Sequence, residues 1–178
     1  TNKDGLHTNV IYGFVNMINK LIEQFNPKYM AIAFDTKAPT FRHKEYDGYK
    51  AKRTGMPDEL AVQLPVLKEV LSAMNIQTFE KEGYEADDII GTISLICEKQ
   101  GIECIILTGD KDSLQLASQN TKIKLAVTRK GVTNIYEYKD IDVIEKYGVT
   151  PSQFIDVKGL MGDPSDNIPG VKGVGDKT

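Results

Sequence analysis

The sequence has little of what several classes of protein require. It contains two cysteines, Cys97 and Cys104, which lie seven residues apart in apolar surroundings and form no Cys-x-x-Cys pattern. We therefore expect reduced thiols in a core and not a disulfide framework. The two histidines, His7 and His43, are too few and too scattered for a histidine-based metal site. No apolar run approaches the roughly 20 residues of a membrane helix, and no signal peptide opens the sequence, so we expect a cytoplasmic protein without a membrane partner.

The charge distribution says more than the total charge. The chain has 178 residues, of which 40% are hydrophobic and 26% charged. This length and composition are typical of one soluble domain with a well-buried core and a small appended module. The net charge of −3 argues against nucleic acid, but residues 36–55 carry six Lys or Arg against Glu45 and Asp47. Aromatic residues alternate with these cations, a pattern that binds single strands by stacking and phosphate contacts. A solvated charged face is the simpler alternative.

Hydrophobic periodicity predicts alternating helices and strands, which indicates an α/β fold. Helices are expected at 8–25, from 56 to 74 with a kink or a true start at Pro65, from Ala86 to a cap at Gly101, from Ser113, at 140–147 and from Pro151. Strands are expected at 29–34, 76–79 and 102–107, and as a hairpin at 123–127 and 132–136.

Several acidic residues come directly after predicted strands. Asp35 follows the strand 29–34, and Asp110 and Asp112 follow the strand 102–107. Ligands of open α/β sheets gather at the carboxyl ends of strands, so these carboxylates are placed for chemistry. Helix capping is the alternative for Asp35 and for Asp112.

Three more acidic residues, Glu85, Asp87 and Asp88, crowd the first turn of the helix that begins near Ala86. Acids favour helix N-termini, which explains one or two of them. Two carboxylates 4 Å apart repel by roughly 4 kcal/mol at an effective dielectric constant of about 20. A bound Mg²⁺ or Mn²⁺ would relieve that repulsion, because hard cations prefer oxygen ligands.

The last twenty residues combine an acidic turn with a glycine pattern. Asp163 and Asp166 lie in a Pro/Ser/Asn-rich turn, and Gly170, Gly173 and Gly175 follow as G-x-x-G-x-G. Glycine permits the positive φ angles and the close backbone approach of a phosphate-binding loop. A carboxylate pair beside such a loop suits a metal-dependent enzyme that acts on nucleic acid. An acidic turn followed by an ordinary glycine-rich loop is the alternative.

Five motifs occur in order along the chain: FDTKAPTFRH, YKAKR, GYEADDIIGT, TGDKDSLQL and GLMGDPSDNIPGVKGVGDKT. Together they resemble the 5′-nuclease (flap-endonuclease) family, as found at the N-terminus of bacterial DNA polymerase I. The resemblance covers essentially the whole chain. It implies a Rossmann-like (PIN-like) α/β nuclease core over residues 1–149 with a mainly parallel sheet and a basic helical arch at about 36–57. It also implies a truncated helix–hairpin–helix-type DNA-binding module at 150–178.

The resemblance also implies roles for individual residues. Arg42 and Lys50 would contact the scissile phosphate. Two ions, Mg²⁺ or Mn²⁺, would be held by acids: Asp35, Glu85 and Asp87 at the first with Asp88 nearby, and Asp110, Asp112 and Asp163 at the second with Asp166 farther out. DNA would be bound by Phe41, Tyr49, Lys52, Arg53, Gly170, Lys172, Gly173 and Gly175, and the hairpin would suit a monovalent cation.

The activity implied is hydrolysis of phosphodiesters at DNA 5′ ends and flaps, in primer removal and repair. The partners implied are 5′ flaps, nicked or gapped duplex and a covalently following polymerase domain. The family's first strand, which ends in another metal-binding Asp, is not found before residue 1, so we expect a fragment of reduced activity. Two alternatives stay open at this point: a catalytically silent DNA-binding fragment and a haloacid-dehalogenase-type phosphatase, which GDKDS and GDPSD resemble.

Overall fold

The computed structural model describes residues 1–3 and 5–175, and its contacts divide the chain into two units. Residues 1–35 and 54–80 form the first unit, and residues 36–53 with the chain from residue 81 onward form the second. Both units contain parallel strand pairs and helices, so the predicted α/β fold class is confirmed. Within the described ranges, no helix is both long and apolar enough to cross a membrane.

The first unit is built on two strands and three helices. Its elements are α1 (Asn9–Phe25), β1 (Ala31–Ala33), α3 (Asp58–Ala61), α4 (Gln63–Ala73) and β2 (Gln77–Phe79). Strands β1 and β2 run parallel, with Ile32 opposite Thr78. The apolar stripes of α1 and α4 meet at Ile18, Leu67 and Leu71, which are nearly or fully buried. Burial of these side chains stabilises the unit.

The predicted helix and strand boundaries in the first unit need two adjustments. The single helix expected over 56–74 is divided at Val62 into α3 and α4. Pro65 is the third residue of α4, where its missing N–H removes no helical hydrogen bond, so Pro65 marks a helix start as predicted. The strand expected over 29–34 is regular only from Ala31 to Ala33.

The second unit contains a three-stranded sheet with the order β3-β4-β5. Its elements are α2 (Phe41–Glu45), α5 (Ala86–Gln100), β3 (Cys104–Thr108), a 3₁₀ helix (Lys111–Leu116), β4 (Thr121–Arg129), β5 (Val132–Tyr138), α6 (Asp140–Tyr147) and α7 (Pro151–Met161). Strand β3 is parallel to β4, and β5 is antiparallel to β4. Ile123 and Leu125 of β4 pack with Leu114, Val143 and Phe154 into one core.

Local sequence explains where these elements turn and end. The β4–β5 hairpin closes on Lys130 and Gly131, which both have positive φ angles of 51° and 78°, as a tight two-residue turn requires. Gly101 and Gly148 end α5 and α6 in the left-handed conformation. Thr150 and Gln153 cap α7 reciprocally, which confirms the predicted capping box.

Three expectations for the second unit are corrected. The segment expected as a helical arch is helical only over Phe41–Glu45, and turns follow up to Lys52. The helical periodicity between Ala86 and Gly101 predicts an apolar stripe that includes Ile96, but Ile96 is 49% exposed. The N-cap of the 3₁₀ helix is Asp110 and not Asp112, because the Asp110 carboxylate accepts the Asp112 N–H at 2.9 Å.

The two cysteines are free and half-buried, as the sequence predicts. Burial, and then the neighbouring Cys97, raise the pKa of the Cys104 thiol to about 11.

Candidate metal and nucleic-acid site

Glu85 lies at the start of α5 and is surrounded by side chains of the basic segment, residues 36–53. The Lys50 ammonium is 2.7 Å from Glu85 Oε1, and the Tyr49 hydroxyl donates to the same carboxylate at 2.9 Å. Arg42 is 3.7 Å away. Burial, followed by the hydrogen bond to Glu85, raises the pKa of Tyr49. The basic segment thus supplies the charge balance for this half-buried carboxylate.

Asp88, one turn further along α5, has two partners. Its carboxylate accepts two hydrogen bonds of 2.8 Å from the Arg42 guanidinium, a bidentate pair. It also accepts the Glu85 N–H at 2.9 Å and so caps the helix. The hydrogen bonds from Arg42 lower the pKa of Asp88 even though burial acts in the opposite direction. Asp88 therefore has two roles: it caps the helix and it forms an ion pair with Arg42.

The acidic turn after α7 brings Asp163 and Asp166 toward different cations. Asp163 Oδ1 accepts hydrogen bonds from the Ser165 N–H at 2.8 Å and from its hydroxyl at 2.6 Å, and Asp163 and Ile168 form a β-bridge. Local hydrogen bonds therefore hold this Pro/Ser/Asn-rich turn. Asp166 contacts Arg53 and lies 4.0 Å from the Lys50 ammonium.

A second group of acids, Asp110, Asp112 and Asp163, is associated with Lys158 of α7. The Lys158 ammonium is 3.0 Å from Asp112 Oδ1 and 3.8 Å from Asp163 Oδ2. Burial raises the pKa of Asp112, Lys158 opposes that rise, and the charges of Asp110 and Asp163 add to it. Burial acts to raise the pKa of Asp163 as well, but the hydrogen bonds from Ser165 and the charge of Lys158 lower it overall.

Two further predicted metal ligands, Asp35 and Asp87, are exposed. Asp35 belongs to the first unit, where it is exposed two residues after β1, and Asp87 is exposed on α5. Among residues 1–3 and 5–175, no three His, Cys, Asp or Glu side chains are gathered closely enough to hold a metal ion. The donor chemistry nevertheless fits a hard cation, since carboxylate oxygens of Asp112 and Asp163 converge on one positive charge.

The residues expected to bind DNA differ in accessibility. Phe41 is 38% exposed, and the Arg42 guanidinium lies 4.5 Å from the centre of its ring. Tyr49 is buried beneath Glu85, so its ring is not free to stack on a base in this arrangement. Lys52 and Arg53 are exposed.

The glycines of the C-terminal loop serve different purposes. Gly173 has a φ of 90°, which confirms the need for glycine there, and the exposed Lys172 precedes it. Gly170 allows a close backbone approach, because a Cβ there would lie 2.1 Å from the Met161 carbonyl oxygen. At Gly175 neither a positive φ nor a close neighbour requires glycine. Positions 176–178, the end of the predicted hairpin module, lie outside the described residues.

Two residues of this site were missed by reasoning from the sequence. The sequence does not indicate a role for Lys158, because one lysine on a helix is usually solvated. Its position five residues before Asp163 is the one signal that the sequence offers. Asn167 lies inside the acidic turn, and its half-buried side chain donates to the Gly48 carbonyl at 2.8 Å. No local pattern indicates a contact between residues so far apart in the chain.

Comparison with protein families assigns the chain. Residues 1–148 match the family described as 5′-3′ exonuclease, N-terminal resolvase-like domain, and residues 149–178 match the 5′-3′ exonuclease, C-terminal SAM fold. The chain belongs to the 5′-3′ exonuclease family. This result confirms the resemblance drawn from the motifs and excludes the phosphatase alternative.

The curated relatives are DNA polymerases. The chain is 50% identical over 178 residues to DNA polymerase I of Bacillus subtilis (strain 168), and 49% identical over 177 residues to that of Bacillus caldotenax. These matches cover 100% and 99% of this chain and 20% of each relative. The chain therefore spans about one fifth of the length of the curated relatives it matches.

Solved structures agree with this fold. A bacteriophage T5 5′-exonuclease with bound divalent metal ions (zinc) has a TM-score of 0.76 and 26% identity, covering 99% of this chain and 66% of its own. A bacteriophage T5 flap endonuclease in a complex with DNA and metal ions has a TM-score of 0.73 and 25% identity, covering 94% and 63%. The catalytic core of Rad2 in complex with DNA, at 23% identity and a TM-score of 0.55, shares the fold over 93% of this chain and 49% of its own.

Proposed function

We propose that this chain is a structure-specific 5′ nuclease that hydrolyses phosphodiesters of DNA 5′ ends and flaps. One observation carries the proposal: four of the acids that the motifs single out form two groups in the second unit, Glu85 with Asp88 and Asp112 with Asp163, and each group contacts cations. Family membership supports hydrolysis of nucleic acid, and the T5 relative bound to DNA and metal ions supports the substrate class. The cellular roles proposed are primer removal and repair.

Two Mg²⁺ or Mn²⁺ ions are the proposed cofactors, in keeping with the metal-bound T5 structures. Glu85 and Asp87, with Asp88 nearby, would hold one ion, and Asp110, Asp112 and Asp163, with Asp166 farther out, would hold the other. Asp35, in the first unit, stays a prediction from the sequence. When bound, such ions activate a water and stabilise the charge on the attacking and leaving oxygens.

The cations that face these acids are the proposed catalytic residues of the chain itself. Lys50 and Arg42 balance Glu85 and Asp88, so their charges become available to a phosphate when those carboxylates take another partner. A cation beside the scissile phosphate stabilises negative charge that builds up in the transition state. Arg42, with its planar guanidinium, also suits two-point contact with a phosphate.

The remaining surface is proposed to hold the DNA backbone and the single-stranded 5′ end. Lys52 and Arg53 are exposed cations next to Lys50, and Lys172 with Gly173 forms the turn proposed to contact duplex DNA and a monovalent cation. The second unit also contains a cavity of about 400 Å³, lined by Arg42, Glu45, Tyr46, Tyr49, Ile168 and Pro169. Tyr46, which is 43% exposed, offers an aromatic ring for stacking on a base of an unpaired strand, and Arg42 offers a cation for its phosphates.

The matched DNA polymerases suggest that a polymerase domain is covalently linked to this one and that the protein works in the cytoplasm.

A comparison of labelled substrates tests the proposed 5′ nuclease activity. A 5′-flap duplex should be cut faster than a blunt duplex or a free single strand. Binding of the flap without cleavage of any substrate would instead favour a silent DNA-binding domain.

A further inference from the structure

A turn of the basic segment is docked on the acidic turn after α7. Asn167 Nδ2 donates to the Gly48 carbonyl at 2.8 Å, and the Lys50 N–H donates to the Asp166 carbonyl at 2.8 Å. The Tyr46 hydroxyl donates to the Asn167 carbonyl at 3.2 Å. Segments more than one hundred residues apart in the chain are thus joined by three hydrogen bonds within a few residues of Lys50.

Backbone conformation makes this docking specific. Asn167 has a φ of 60° and Lys50 a φ of 54°, both in the left-handed region, which asparagine tolerates better than lysine. A Cβ at Gly48 would lie 2.5 Å from the Tyr46 ring, so a side chain there would displace the ring whose hydroxyl contacts Asn167. The Gly48 carbonyl accepts the hydrogen bond from Asn167, and Lys50 is held in an unfavourable conformation by the contacts around it.

We propose that Asn167 is a positioning residue for Lys50. Its side-chain amide fixes the Gly48 carbonyl, which sets the course of the chain into Lys50, whose ammonium then lies 2.7 Å from Glu85. The consequence for catalysis rests on the proposed function, in which Lys50 acts on the scissile phosphate. The consequence for the position of Lys50 does not rest on it.

Amide hydrogen exchange of the chain, without DNA or metal, tests the positioning directly. In Asn167→Gly, which keeps the left-handed backbone and removes the amide, exchange of the Lys50 N–H should rise about three- to tenfold, as expected for loss of one hydrogen bond. Asn167→Asp should behave similarly, because a carboxylate cannot donate to the Gly48 carbonyl. The Ile123 N–H in the core of the same unit should be unchanged in both variants.

Asn75→Gly is the matched control, since Asn75 also has a positive φ, of 57°, and lies in the first unit. It should leave the exchange of the Lys50 N–H unchanged. Unchanged exchange at Lys50 in Asn167→Gly, wild-type behaviour of Asn167→Asp, or an equal rise at Ile123 would each overturn the proposal.

Cleavage supplies a second readout that a purely structural role would not move. Under single-turnover conditions Asn167→Gly should cut a 5′-flap about tenfold more slowly, because small misplacements of catalytic groups are costly. Its Kd for the flap should stay within about twofold of wild type, and Asn75→Gly should match wild type in both. Absence of cleavage by every chain would refute the proposed function, whereas the exchange result would still decide the role of Asn167.

Discussion

The Lys158 ammonium nitrogen lies 3.0 Å from Asp112 Oδ1 and 3.8 Å from Asp163 Oδ2, so that one lysine forms ion pairs with two carboxylates. Without it these acids would repel each other, because both carry negative charge. Although burial acts to lower the pKa of Lys158, its hydrogen bond and attraction to Asp112 raise it overall. Lys158 therefore competes with any divalent cation for the same oxygens.

The first prediction concerns this competition. Lys158→Gln should bind Mn²⁺ about fivefold more tightly than wild type in a calorimetric titration, which is about 1 kcal/mol, the interaction of two charges 4 Å apart in bulk water. Lys122→Gln is the control, because Lys122 pairs with Glu103 on the surface. Unchanged or weaker Mn²⁺ binding in Lys158→Gln would contradict the assignment of Asp112 and Asp163 as metal ligands.

The second prediction concerns the glycine-rich loop. Gly170→Ala should lower the free energy of unfolding by about 1–3 kcal/mol, because its Cβ would lie 2.1 Å from the Met161 carbonyl oxygen and backbone atoms cannot give way. Gly175→Ala should change it by less than about 0.5 kcal/mol, since the added Cβ would meet no described atom within 4 Å other than those of its chain neighbours. Chemical denaturation measures both. Equal effects of the two substitutions would show that the close approach is not important for stability.

The same loop shows how far the sequence could predict the structure. Periodicity located α1, α5 and α6, and turn residues located the β4–β5 hairpin, because these features depend on neighbours in the chain. The glycine pattern was recognised, but the reason for Gly170 was not. Its neighbour is the backbone of Met161, and only the folded loop brings the two together.

The sequence predicted which acidic residues belong to the candidate site, but it did not predict the cations with which they form ion pairs. Acids at strand ends and helix starts were found from local patterns. The ion pairs Arg42–Asp88 and Lys50–Glu85 join segments that are 46 and 35 residues apart. No spacing rule predicts such pairs or the hydrogen bond from the buried Tyr49 to Glu85.

The third prediction concerns pH. Arg42 lowers the pKa of Asp88 below its ordinary value of 3.8. The Asp88 carboxylate therefore binds a proton more weakly in the folded chain than in the unfolded chain. Stability from the pair is therefore complete above about pH 4 and is lost as the pH falls through the lowered pKa. Asp88→Asn should lower Tm at pH 7, and its difference from wild type should narrow below about pH 4.

Arg42→Gln removes the cause of the shift and provides the control. In that background, Asp88→Asn should have a smaller effect on Tm at pH 7, and much of its pH dependence should disappear. The same pH dependence with and without Arg42 would contradict the role given to the pair.

The fourth prediction separates chemistry from binding. Lys50→Ala and Arg42→Ala should slow single-turnover cleavage more than they weaken flap binding, because a cation at the scissile phosphate acts mainly in the transition state. Lys172→Ala should instead weaken duplex binding and reduce the slope of log K against log salt by about one unit. Equal losses of affinity and rate in all three variants would refute this division.

Cleavage of a labelled 5′-flap DNA in the presence of Mg²⁺, Mn²⁺ or a chelator tests the central claim most directly. With either ion the protein should release the flap, and excess chelator should stop the reaction. Asp112→Asn should abolish cleavage and keep flap binding largely intact, because it removes a proposed metal ligand and no phosphate contact. Undiminished cleavage in excess chelator, or flap binding without cleavage in either ion, would contradict a metal-dependent 5′ nuclease.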